Sequence, residues 1–263
     1  MDLGIKNKVA LVTAASQGLG KASAIELANE GVKLAICSRD QDKINQTAEE
    51  IQNLTGGEVL AVKADLDSTD DIENLIKEIE NKFNTVDILV NNTGGPKAGF
   101  FDDLSDEDWL KTFESTFLSA VRVTRKVLPF MKKNKWGRII NISSVSAKQP
   151  IDNLMLSNGV RMSIHGWAKT LSNQLASENI LINNVCPGFT HTERVDGLIK
   201  AQVENSNSSR EDIIESIASD IPAKRVGQAE ELAALVTFLS SEKASYITGQ
   251  SIAVDGGISS LPI

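Results

Sequence analysis

Seven short runs of β-branched and aliphatic residues punctuate the chain. They are KVALVT (8–13), VKLAIC (32–37), EVLAVKA (58–64), VDILVNN (86–92), GRIINIS (137–143), NILINNV (179–185) and SIAV (251–254). Each of the first six is followed, sooner or later, by a segment with helical spacing. Residues 42–54 place Ile44, Ala48, Ile51 and Leu54 at steps of four, three and three. Residues 70–83 place Ile72, Leu75, Ile76, Ile79 and Phe83 on one helical stripe. Strands of four to eight residues alternating with longer helices predict βαβ units, and so a parallel sheet covered on both faces.

The fold class is therefore α/β. Seven strands over 263 residues fit a single Rossmann-type domain spanning 1–263, a seven-stranded parallel sheet with helices on both faces. No stretch reads as an interdomain linker, and no repeat of solenoid length is visible. The irregular stretch is 190–227, where the polar VENSNSSRED separates two helical segments. Loops at the C-terminal strand ends line the crevice of an open α/β sheet, so a segment inserted there predicts a lid over a ligand. A surface helical hairpin with no ligand role is the alternative.

Composition narrows the function classes. The net charge is −8, from 27 basic and 35 acidic residues, and the densest basic stretch, Lys132 to Arg138, is too short for a phosphate-binding stripe. A nucleic-acid partner is not expected. No apolar run approaches the ~20 residues of a membrane span. The first residues, MDLGIKNKVALVTAAS, lack the basic-then-apolar order of a secretion signal, so a cytoplasmic protein is expected. Cys37 and Cys186, each at or just after a strand end, read as small buried hydrophobes. Two cysteines and two histidines make no metal cluster, and no metal is expected. The chain has a single tyrosine, Tyr246.

The first strand runs into Thr13-Ala14-Ala15-Ser16-Gln17-Gly18-Leu19-Gly20 and then a helix to about residue 30. A glycine-rich turn between strand and helix lets backbone amides reach a pyrophosphate at the helix N-terminus. The second strand ends Cys37-Ser38-Arg39-Asp40. An acid at this strand end suits the ribose of NAD, whereas an Arg accommodates a 2′-phosphate. Ser38 followed by Arg39 favours NADP(H), and Asp40 keeps NAD open.

Taken together, these residues resemble the short-chain dehydrogenase/reductase family in its shorter form, over essentially the whole chain. Thr13 to Gly20 looks like the family's TGxxxGxG, with Ala14 at the first glycine. Asp65 and Leu66 match the adenine pair after strand three, and Asn91-Asn92-Thr93-Gly94 resembles NNAG. After Gly94 the chain continues Gly95-Pro96, which looks like a variant from an unusual branch. Gly137 to Ser144 matches the fifth strand with its serine. Asn183 and Pro187-Gly188 match NxVxPG, with Thr192 at the threonine near the nicotinamide, and Asp255-Gly256-Gly257 matches the C-terminal DGG. The nearest likeness is to 3-oxoacyl-acyl-carrier-protein reductases. The resemblance implies a nicotinamide cofactor, reduction of a small-molecule carbonyl, and a homotetramer. Its interfaces would be the helices after strands four and five and the C-terminal segment.

The family works with Ser, Tyr and Lys, usually with an Asn one helix earlier. Carried over, the Ser is Ser144, the Tyr position is Ser157, the Lys position is Arg161, and the Asn position, counted from Trp109, is Thr116. Tyr246 lies in the segment before the last strand, where the family packs an aromatic residue. A serine is a weaker acid than tyrosine, which starts near pKa ~10, and it is too short to take the phenol's place. Arg161 stays protonated, yet it can donate to ribose hydroxyls as the Lys does. Other proton donors are His191, shortly after Gly188, then Lys148 just past Ser144, and His165. The last is two helical turns from Ser157, about 12 Å along the axis at ~1.5 Å per residue. The expectation is an NADP(H)-dependent oxidoreductase that reduces a carbonyl, 3-oxoacyl-thioester-like or a small ketone, by an altered catalytic group. A water, His191 or a cofactor hydroxyl would supply the proton. The alternative is a cofactor-binding protein without turnover, a redox sensor or an assembly partner.

Overall fold

The computed structural model describes residues 2–204, 206 and 208–260. Met1, Asn205, Asn207 and 261–263 lie outside them, so the expected 1–263 domain and 190–227 segment are described without those positions. The strands are β1 (Val9–Val12), β2 (Lys33–Ser38), β3 (Val59–Lys63), β4 (Ile88–Asn91), β5 (Gly137–Ile142), β6 (Ile180–Pro187) and β7 (Ser251–Val254). They form one parallel sheet in the order β3-β2-β1-β4-β5-β6-β7. Every apolar run of the sequence is a strand, and each starts and ends close to the expected bounds.

The helices are α1 (Gly18–Asn29), α2 (Gln41–Thr55), α3 (Thr69–Phe83), α4 (Asp106–Thr112), α5 (Ser119–Asn134), α6 (Met155–Leu175), α7 (Glu193–Glu204), α8 (Arg210–Asp220) and α9 (Ala229–Leu239). Alternate residues of each strand point to opposite faces. Ala10, Val12, Leu34, Ile36, Ile88, Val90 and Ile140 pack with α1, α2 and α9. Leu11, Ala35, Leu89, Ile139 and Ile182 pack with α3, α5 and α6. The stripes on 42–54 and 70–83 are the buried faces of α2 and α3, although Leu54 is exposed where α2 ends.

A buried polar row also fixes the strand register. Asn91 Nδ2 donates to Asn141 Oδ1 at 2.9 Å, Asn141 Nδ2 to Asn184 Oδ1 at 2.8 Å, and Asn184 Nδ2 to Ser251 Oγ at 2.9 Å. These residues are direct neighbours in register across β4, β5, β6 and β7. Slipping one strand by a residue would strand amides in a dry interior, at ~1–3 kcal/mol for each unpaired group.

The helices after β4 join through one wide turn over Phe113–Leu118, where the Ser119 N–H reaches back to Glu114 O. Thr116 is buried in this π-type turn, a feature common at functional sites. The ends of the 190–227 segment are tied together. Thr190 pairs with Gly227, the His191 N–H donates to Gly227 O, and the Gly227 N–H donates to Phe189 O. Among the described residues, no helix is long and apolar enough to cross a membrane.

Candidate active site

Strand order reverses about β1, which lies between β2 and β4. A ligand crevice opens at the C-terminal strand ends there. It is a cleft of about 860 Å³, sized for a cofactor-class ligand. Of the residues expected to bind cofactor, Ser16, Gly18, Leu19, Ser38, Arg39, Asp65, Leu66, Asn92, Gly94, Arg161, Pro187, Gly188 and Thr192 line it.

Two residues expected at the cofactor work behind the wall instead. Thr13 is buried, with Oγ1 donating to Asn92 O at 2.7 Å and accepting from the Asn92 N–H at 2.8 Å. It pins the end of β4 to the turn after β1. Gly20 is glycine for packing. A Cβ there would sit 2.6 Å from both Ala14 O and Asn92 Nδ2. Gly18 has φ +56 and faces the cleft, so it is the residue that opens the helix N-terminus to an anion.

The structure also decides what Asp40 does. Its carboxylate caps α2, accepting from the Asp42 and Lys43 N–H groups at 3.1 Å each. Ser38 Oγ donates to Asp40 O at 2.9 Å. One carboxylate oxygen is thereby used at the helix start; the other lies 4.0 Å from Lys43 Nζ, and Asp40 also lines the cleft. Arg39 and Lys43 both face the cleft beside it. Lys43 was not singled out from the sequence, because its place depends on where α2 begins. Two cations and a hydroxyl here fit a phosphate on the adenosine ribose.

At the other end, Ser144, Ser157 and Arg161 share the wall with Ser143. Ser144 starts the short turn Val145–Ala147, with Oγ accepting from the Ser146 N–H at 3.0 Å. Ser146 Oγ and Ser157 Oγ are 2.9 Å apart. Arg161 is buried, and Nη1 donates to Ile142 O and Ser143 O at 3.0 Å each. Burial lowers its pKa to about 10, so it stays cationic at neutral pH. Tyr246 is fully exposed, in the segment before β7.

None of the other proton donors expected from the sequence lines this cleft. His191 is exposed, held by its backbone to Gly227, and not among the cleft-lining residues. Lys148 Nζ donates to Ser251 O at 2.7 Å. His165 Nε2 lies 2.9 Å from Ser143 Oγ and 3.6 Å from Cys186 Sγ, behind the wall. Burial, aided by Lys148 and Arg161, lowers its pKa to about 4 and keeps the ring neutral. Both thiols are buried, which raises Cys37 to about 12 and Cys186 to about 11.

A glycine turn opening α1, cationic groups after β2 and a polar wall after β5, all at one switch point, define a dinucleotide-binding protein of the Rossmann class. A family model described as enoyl-(acyl carrier protein) reductase matches residues 13–259. The NADPH-dependent reductase BacG of Bacillus subtilis is 36% identical over 254 residues, covering 96% of this chain and 98% of that protein. The 3-oxoacyl-acyl-carrier-protein reductase FabG of Aquifex aeolicus is 35% identical, covering 98% of this chain and all of that one (100%). Among solved structures, L-sorbose reductase from Gluconobacter frateurii, complexed with NADPH and L-sorbose, superposes with TM-score 0.95 at 30% identity, over 99% of this chain and 100% of that one. The chain belongs to the short-chain dehydrogenase/reductase family.

Proposed function

We propose that this protein is an NADPH-dependent reductase that reduces a carbonyl, a small ketone or a 3-oxoacyl-thioester-like group, with an altered catalytic group. The observation that carries the cofactor is the strand-end cluster after β2. Asp40 caps α2 through Oδ1 and lines the cleft with Arg39 and Lys43; Lys43 Nζ lies 4.0 Å from Asp40 Oδ2, and Arg39 has no ion pair among the described residues. NADP-named relatives and the NADPH complex of the sorbose reductase support the same choice. When bound, NADPH supplies a hydride.

Gly18 and Leu19 hold the pyrophosphate against the start of α1, and Asp65 and Leu66 flank the adenine. Asn92, Gly94, Pro187, Gly188 and Thr192 line the nicotinamide end. Arg161 donates to the nicotinamide ribose. Ser144 orients the substrate oxygen by a hydrogen bond. Ser157 and Thr116 stand where the family places its tyrosine and asparagine, so water supplies the proton. A positioned general acid is worth ~10²–10⁴ in rate, and turnover is slower than in relatives by a factor in that range. The 190–227 segment, closed on itself at Thr190 and Gly227, serves as the lid. Exposed Leu110, Phe113 and Met162, on the helices after β4 and β5, support a homotetramer.

The test is NADPH oxidation with a panel of ketones and 3-oxoacyl thioesters, beside calorimetric NADPH binding. Oxidation with at least one carbonyl is expected. Tight binding with no oxidation across the panel supports instead a cofactor-binding protein without turnover.

A further inference from the structure

The Gly95-Pro96 step has a physical reason in the fold. A Cβ at position 95 would sit 2.6 Å from Arg194 Nε and 3.1 Å from its Cζ. Those atoms belong to a group that is held, because Arg194 Nη2 donates to Pro96 O. Glycine at 95 leaves room for the guanidinium to lie on this loop. Arg194, in the first turn of α7, is thereby seated at the rim of the cleft whose wall carries Ser144, Ser157 and Arg161.

This cation has no carboxylate to answer it among the described residues. Among the described residues, the arginines in ion pairs are Arg122, Arg138, Arg210 and Arg225. Arg161 and Arg194 are not among them, and the charge of Arg194 bears on Arg161. After burial, the charge of Arg194 is a further cause lowering the pKa of Arg161. Of the acids nearby, neither pairs with Arg194. Asp108 accepts from Lys97 Nζ at 3.1 Å and from the Ser105 N–H at 3.1 Å. The Glu193 carboxylate turns towards Gly18, with Oε2 3.4 Å from where a Cβ on that glycine would be. Lys111 adds a further cation to the lining, and Ile151, Leu154 and Leu198 add apolar surface.

We propose that Arg194 is the specificity-determining residue of the site and binds a carboxylate on the substrate. The substrate class is then a short oxo acid with an apolar body rather than a neutral ketone. This rests on the carbonyl-reductase reading above and narrows it. A guanidinium seated through one N–H keeps further donors in the planar fork that matches a carboxylate. A bound anion also relieves the repulsion between the two arginines.

The test compares 4-methyl-2-oxopentanoate and 4-oxopentanoate, each beside its methyl ester, in NADPH oxidation. In at least one pair the wild type should favour the acid by about tenfold or more in kcat/KM, the scale of a charge-assisted hydrogen bond. Arg194→Gln should bring that ratio near one, and Arg194→Lys should restore part of it. Equal use of acid and ester by the wild type overturns the proposal. So does a preference that survives in Arg194→Gln. A tenfold or greater loss of NADPH affinity in that variant also overturns it, since the guanidinium would then serve the cofactor's phosphates. A second arm needs no turnover: calorimetric titration of the protein–NADP⁺ complex with the same acids. Binding in the wild type that is lost in Arg194→Gln supports the site, and no binding in the wild type overturns it. Binding without NADPH oxidation would sink the reductase reading and leave the carboxylate site standing.

Discussion

The two halves of the cleft are built on the same rule and depend on sequence differently. The half over β1 and β2 is proposed to recognise by shape and fixed charge: a glycine with positive φ at the start of α1, and cations after β2. The half over β5 and α6 must act through the chemistry of individual side chains. Backbone amides survive many substitutions, because every residue but proline carries one. A proton donor resides in one functional group. The family's nucleotide end can therefore persist in this chain while the proposed catalytic group changes, with no cost to the fold.

The comparison can be broken most severely at Gly18. Gly18→Val forces a β-branched residue to φ +56 at the face of the cleft, in contact with Thr192 and Glu193. NADPH affinity should fall about 100-fold by calorimetry, from backbone strain of ~1–3 kcal/mol and loss of the close approach. An affinity within threefold of wild type would remove the turn from cofactor binding. Next in size is Arg39→Ala. It should raise the Kd for NADPH about tenfold or more, a charged hydrogen bond being worth ~1.5–3 kcal/mol, and leave NADH nearly unchanged. Equal losses for both cofactors would show that Arg39 does not read the 2′-phosphate.

Ser144→Ala sharpens the other half. It should lower kcat about tenfold while NADPH affinity stays within twofold, because its hydroxyl is proposed to meet the substrate and not the cofactor. Unchanged kcat would take Ser144 out of the mechanism.

The smallest effect concerns pH. His165 has a folded pKa of about 4, below its ordinary value of 6.5. The unfolded chain therefore takes up a proton first as pH falls. Stability should decline from about pH 6.5 towards 4, and His165→Gln should flatten that decline. Thermal midpoints across this range measure it, and parallel curves for the two proteins would contradict the buried neutral ring.

The sequence reached the sheet because each strand is a local pattern. VALV, KLAIC and RIINI need no knowledge of their neighbours to read as buried β. The same holds for the glycine turn and for Arg39. What it did not reach depends on contacts distant in the chain. The amides of Asn91, Asn141 and Asn184 look like ordinary polar residues until register lines them up. Thr13 and Gly20 belong to a glycine-turn motif, and only the fold shows that they brace it against Asn92. His191 is close to Gly188 in sequence, but the pairing of 190 with 227 turns it outward. The sequence could have suggested Arg194 only by linking it to Gly95, about a hundred residues earlier.

The central claim is that this cleft still delivers hydride to a carbonyl without the family's tyrosine. NADPH deuterated at the reactive C4 position, incubated with the protein and the carbonyl panel, tests it directly by mass spectrometry of the product alcohol. The account predicts one deuterium on the former carbonyl carbon, formed with a turnover that persists in His191→Ala. Bound NADPH that passes no deuterium to any carbonyl would contradict it.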